Sequence, residues 1–177
     1  MKKFLLSSIL VFGINTSLVH AEDWTFFSKV NKQVTQDYGL ALIGGSSDLH
    51  KHDSSGSLYG LEFSLLCPIV QASEHTIRQN ISLTRFNKHS FVMYSLEANP
   101  HYLYQIEDNT YLGVGPSFGL TKVEGDDTVV TFGAGVSIRK NLTEKLFIGA
   151  EFRKSYATES DYSNSRFIGK VGYFFNK

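Results

Sequence analysis

The chain has 177 residues, with 17 Lys and Arg against 17 Asp and Glu, and aromatic side chains make up 14% of it. So even a balance supplies no field for nucleic acid, and no partner of that kind is expected. Beyond residue 21 no apolar run approaches the roughly 18–20 residues of a membrane-crossing helix, so the remainder either stays in water or crosses a membrane as strands.

The first segment reads as a leader. Lys2 and Lys3 open it, Phe4 to Val19 is mostly apolar, and Val19-His20-Ala21 offers a cleavage point. A cut after Ala21 leaves residues 22–177 as the mature part. The single Cys67 lies far from that cut and has no disulfide partner. Residues 22–36 admit three readings. They could be a linker, an amphipathic helix with Trp24, Phe27, Val30 and Val34 on one face, or an extra strand in which Trp24, Phe26 and Ser28 alternate.

Eight alternating segments follow, in which one parity is bulky and apolar and the other small, polar or charged. The first, Asp37 to Ser46, sets Tyr38, Leu40 and Leu42 against Gly39 and Ala41. Ser57 to Cys67 opposes Tyr59, Leu61, Phe63 and Leu65 to Gly60, Glu62 and Ser64. In Thr76 to Phe86, Ile77, Ile81 and Leu83 face away from Arg78, Asn80, Ser82 and Thr84, with Gln79 breaking the apolar side. Phe91 to Tyr104 separates Val92, Tyr94, Leu96 and Tyr102 from Ser95, Glu97, Asn99 and His101. Tyr111 to Thr121 and Thr128 to Arg139 place glycine and hydroxyl residues opposite aliphatic and aromatic ones. Leu146 to Arg153 opposes Leu146, Ile148 and Phe152 to Gly149, Glu151 and Arg153, and Arg166 to Phe175 opposes Phe167, Val171, Tyr173 and Phe175 to Arg166, Lys170 and Gly172.

These segments match or exceed the roughly 9–11 residues that a tilted strand needs to cross hydrocarbon, whereas soluble strands average about 5–6. Small polar residues suit a narrow interior. The bulky parity suits lipid, with aromatics toward the rims: Tyr102, Tyr104, Tyr173 and Phe175 at one, Phe86, Phe152 and Phe167 at the other. The expected fold is therefore all-β, a closed antiparallel eight-stranded transmembrane barrel over residues 37–177. Longer outer loops are expected at Ser46 to Gly56 and Lys154 to Ser165, and short inner turns at Ile106 to Asn109 and Lys140 to Lys145. The long inner turn Pro68 to Glu74 has no explanation in the pattern.

The chain resembles the small outer-membrane β-barrel family that includes the OmpA transmembrane domain, the OmpX and Ail type proteins and the opacity-like proteins. The resemblance rests on the alternating segments, on Tyr111-Leu112-Gly113-Val114-Gly115 and Phe132-Gly133-Ala134-Gly135-Val136, and on the aromatic last strand Val171-Gly172-Tyr173-Phe174-Phe175. It implies the outer membrane of a Gram-negative bacterium, with lipid, lipopolysaccharide and the barrel assembly machinery as partners. The family's assembly signal usually ends on an aromatic, whereas Asn176 and Lys177 follow Phe175 here.

An interior charge network is expected from Glu62, Arg78, Glu97, Glu151 and Lys170, because buried charges persist only when paired. Register sets Glu151 diagonal to Lys170 and Arg78 near the level of Glu97 and Asn99. No catalytic, cofactor or metal site is assigned. Adjacent His89 and Ser90 point to opposite faces of a strand, which a nucleophile and its base cannot do. His50-Lys51-His52-Asp53 reads as a solvated loop rather than a metal site, and His101 as a member of the interior network. The expected role is a non-enzymatic surface protein, structural or adhesive, meeting a host or surface ligand through His50, His52, Asp53, Tyr156, Asp161 and Tyr162. A lipid A-modifying enzyme and a narrow solute channel are the alternatives.

Overall fold

The computed structural model describes residues 24–26, 37–50, 54–72, 76–88 and 91–175. The leader, most of residues 22–36, and the side chains of His52, Asp53, His89 and Ser90 lie outside that set. The strands are β1 (Trp24–Phe26), β2 (Tyr38–Leu49), β3 (Ser54–Leu66), β4 (Val70–Ala72), β5 (Thr76–Lys88), β6 (Phe91–Glu107), β7 (Thr110–Val123), β8 (Thr128–Asn141), β9 (Leu146–Ala157) and β10 (Asn164–Phe174).

Eight of them close into an antiparallel barrel in the order β10-β2-β3-β5-β6-β7-β8-β9. Closure comes from β10 pairing with β2, Phe174 opposite Gly39 and Asn164 opposite Leu49. Every barrel strand thus finds a neighbour on both sides, and the barrel has no open backbone edge. Period-two alternation then sends Leu42, Leu83, Val114, Phe118, Phe132, Phe152, Phe167 and Val171 outward and exposed. The opposite parity buries Ser82, Asn99, Thr121, Thr131, Glu151 and Arg153 inside. The sheet is therefore turned the opposite way from a soluble protein, with its apolar face outside.

Several expectations change. Phe86 does not belong to an outer aromatic rim: it shares the inward parity of Arg78, Ser82 and Thr84, and it is 1% exposed. The long outer loops contract, because strand pairing runs on through the serines, Ser46 opposite Ser57 and Leu49 opposite Ser54. Likewise β9 reaches Ala157 and β10 begins at Asn164, with a turn of 3-10 helix at Ser160–Tyr162 between them. Polar residues there continue the ladder since its amides and carbonyls still need partners.

The long turn after β3 is explained by pairing. Its β4 segment pairs antiparallel with β1, Trp24 opposite Ala72 and Phe26 opposite Val70. Trp24–Phe26 is thus a strand, the third of the readings that the sequence leaves open, at those three residues. The buried carboxamide of Gln71 fastens the neck of the turn, donating to the carbonyls of Cys67 (3.0 Å) and Ile77 (2.8 Å) and accepting from the Ile77 amide (3.0 Å).

Candidate functional site

The interior holds an unbroken chain of alternating charges. Glu97 Oε2 accepts from Arg166 Nη1 at 2.6 Å and from Arg153 Nη1 at 2.7 Å. Arg153 also grips Glu151 Oε1 through Nε (2.7 Å) and Nη2 (2.5 Å). Lys170 Nζ lies 2.6 Å from Glu151 Oε2 and donates to both oxygens of Glu62, at 2.6 and 2.7 Å. Three cations and three carboxylates thus join β3, β6, β9 and β10 across the lumen. Arg166, Arg153 and Glu97 have side chains that are 0% exposed.

Neutral groups complete the packing. The Asn99 carboxamide, turned so that its oxygen accepts from Arg153 at 3.2 Å, donates to Ser117 Oγ at 2.7 Å. Arg166 Nε donates to Asn164 Oδ1 (2.7 Å), and the hydroxyls of Ser95 and Thr121 meet at 2.8 Å. Long charged side chains need empty space opposite them, and glycine supplies it. A Cβ on Gly119 would lie 2.5 Å from Glu97 Cγ.

Apolar side chains run beside this polar column and cap one of its mouths. One cluster starts at the end that carries Tyr38 and Phe174, where the Phe147 and Phe174 rings are 4.6 Å apart beside Ala41, and climbs past the charges through Ile43, opposite Lys170, Ile168, opposite Glu151, and Leu58. Arg78 lies over Phe174 (4.9 Å) and pairs with Asp37 at 2.9 Å. Arg139 stands among Tyr111, Phe174 and Phe147 at 4.9, 5.4 and 6.0 Å. At the opposite mouth Leu49, Phe86, Met93, Val123, Val129 and Tyr162 pack together. There the Tyr162 hydroxyl donates to the Asp126 carboxylate. That bond holds the Asp126 carboxyl below its usual range, helped by the Asp127 amide, and pushes Tyr162 up to about 12.

Of the network candidates, Glu62, Glu151 and Lys170 meet directly, and Glu97 joins them through Arg153. Arg78 stands apart: it is level with His101, while Glu97 is level with Ser82, and its partner is Asp37. Arg153 and Arg166 were missing from the expected network. Their inward parity was the available signal, and their direct opposition in the β9–β10 ladder forces a shared carboxylate between them. Among the mouth candidates, Tyr162 is 8% exposed and turned inward, so it offers little to a ligand. Tyr156 belongs to β9, faces outward and stacks on Phe132 at 5.9 Å. The His50 amide bonds the Ser163 carbonyl at 3.0 Å, and Asp161 sits in the short 3-10 turn.

His101 Nδ1 lies 2.9 Å from Ser137 Oγ, and its Nε2 is 3.9 Å from Glu151 Oε1. The residue types are those of a hydrolytic triad, but the arrangement is not. Glu151 is engaged by Arg153 and Lys170, the group lies inside the barrel away from lipid, and the adjoining cavity of about 30 Å³ admits little more than a water.

No family model matches the chain, and no curated protein matches it in sequence. Solved structures do match in shape. The Neisserial surface protein A is 16% identical with a TM-score of 0.55, covering 80% of this chain and 97% of that one. Ail, the attachment invasion locus protein of Yersinia pestis, in complex with the heparin analogue sucrose octasulfate, is 16% identical with a TM-score of 0.53, covering 80% of this chain and 100% of that one. A de novo designed transmembrane β-barrel matches at 11% identity and a TM-score of 0.50, covering 78% of this chain and 95% of that one. A barrel designed from first principles shares this architecture, so the likeness is one of fold. The chain has the fold of the small eight-stranded outer-membrane β-barrels.

Proposed function

We propose that the chain is exported on its leader, inserted into a bacterial outer membrane, and acts there as a closed structural and contact protein without a transport path. The observation that carries this reading is the filled lumen: six alternating charges joined at 2.5–2.7 Å, flanked by one apolar cluster and capped by another. Water and solutes would have to break ion pairs to pass. The outward apolar band supports the membrane reading, because exposing Leu42, Leu83, Phe118, Phe132, Phe152 and Phe167 to water would be unfavourable.

In this reading Tyr38 and Phe174 lie at the periplasmic end, and the connections at 124–127 and 158–163 face outward. These two carry Glu124, Asp126, Asp127, Glu159 and Asp161. That sign suits a basic or neutral partner better than the sulfated ligand bound to Ail. Two measurements on the full chain test the reading. Electrophoresis of the outer-membrane fraction should show a heat-dependent shift in mobility, and planar bilayers should show no steady open events. A protein found soluble in the periplasm without a shift defeats the membrane reading, and sustained conductance defeats the closed lumen.

A further inference from the structure

On the outside of the barrel, the ladder aligns Tyr59 with Arg85, Arg85 with Tyr94, and Tyr94 with Lys122, one residue from each of β3, β5, β6 and β7. Two residues further along each strand, Leu61, Leu83, Leu96 and Leu120 align in the same way, and beyond them Phe63, Ile81, Ala98 and Phe118. Both tyrosines and all four leucines are exposed. A cationic and phenolic row therefore stands directly above two apolar rows on one flank.

The row is built rather than scattered. Arg85 lies between two rings, 5.9 Å from Tyr59 and 5.8 Å from Tyr94, and its Nη1 donates to the Tyr59 hydroxyl at 2.5 Å. Its Nε has no partner. Lys122 donates to the Asp126 carbonyl and is exposed. Continued around the barrel, the same ladder row becomes Gly44, Gly169 and Ala150, which carry no charge. Another outward cation, Lys154, stands on β9, 5.5 Å over the Tyr156 ring, so the β3–β7 row differs in pairing two cations with two phenols above the leucines.

Lysine and arginine beside hydrocarbon are costly unless they sit at its boundary and meet an anion. Strands lie about 4.8 Å apart, so the two cations are roughly 10 Å apart along the row and the leucine wall is about 14 Å wide. That width accommodates more than one acyl chain beneath a phosphorylated headgroup. We propose that Tyr59, Arg85, Tyr94 and Lys122 bind the phosphates of a multiply acylated, phosphorylated outer-leaflet lipid, whose chains lie along the leucine and phenylalanine rows. Arg85 supplies the planar donor, Lys122 the point charge, and the phenols hydrogen-bond the headgroup. The inference rests on the membrane reading above and names the lipid it would hold.

The test is a titration of the folded, full-length barrel in a neutral detergent with diphosphoryl lipid A, followed by native mass spectrometry. Arg85→Gln/Lys122→Gln should weaken retention by about tenfold or more, while Arg85→Lys/Lys122→Arg should retain most of it. Lys140→Gln, on an outward position near the other end of the barrel, should leave it unchanged. Inorganic phosphate should fail to displace the lipid. Equal retention by the double glutamine variant, or equal binding of the dephosphorylated lipid, overturns the proposal; displacement by free phosphate overturns the commitment to a lipid. Lys122→Gln alone gives the same readout if the double variant does not fold. The heat-dependent mobility shift is scored separately, so a barrel that never enters membranes is distinguishable from one that enters and ignores the lipid.

Discussion

The middle of the lumen and its two ends solve the same packing problem with opposite chemistry. In the middle, Glu97 holds Arg153 and Arg166 at 0% exposure through ion pairs. At the ends, Phe147 against Phe174 and Phe86 against Met93 and Val123 fill the lumen with rings and aliphatics. Paired charges fix a unique arrangement, because each needs its partner at a given place. Apolar layers give less direction, but they keep water from competing for those pairs. The contrast indicates a column specified by its ion pairs and shielded by the apolar side chains around it.

The largest expected effect comes from the centre. Glu97→Ala leaves buried Arg166 without a carboxylate and Arg153 with Glu151 alone, and should cost about 3–5 kcal/mol, read as a lowered denaturant midpoint of the barrel in detergent micelles. An unchanged midpoint would mean that water replaces the carboxylate and that the centre is not sealed. Phe86→Ala removes a ring from the outer layer and should cost about 3 kcal/mol. Its conductance should stay closed, because Arg166 and Glu97 remain beneath it; steady open events would shift the seal from the charges to the ring.

The smallest effect lies at the rim, in the Tyr162 to Asp126 bond. The Asp126 carboxyl is depressed, so its contribution is present above the ordinary value of about 3.9 and fades as pH falls through the lower folded value. Tyr162 is raised, so its share is present below about 10 and is lost as pH rises through about 12. Limited proteolysis of the connection at 158–163 should accelerate on both flanks. Tyr162→Phe should remove both dependences, and persistence of either would assign it to another group.

Strand positions were legible because a closed barrel with an apolar outer face leaves a period-two record in every segment, as Leu112 to Leu120 and Val130 to Ile138 show. The inward set was largely legible by parity. Phe86 was misplaced because an aromatic near a strand end reads as a rim residue unless its parity is counted. The partners within the lumen were harder to read. Arg78 and Glu97 lie on paired strands, yet Arg78 bonds Asp37, 41 residues away.

Alternation alone therefore determined the barrel strands and which parity points outward, since each follows from backbone geometry and the period of two. Tertiary structure decided which charge meets which. It also decided that the turn at Pro68 to Glu74 would pair with Trp24–Phe26, and that Tyr59, Arg85, Tyr94 and Lys122 would stand in one row. Those outcomes depend on the register between strands and on side chains crossing the lumen. Both are distances between residues far apart in sequence, and no local pattern encodes them.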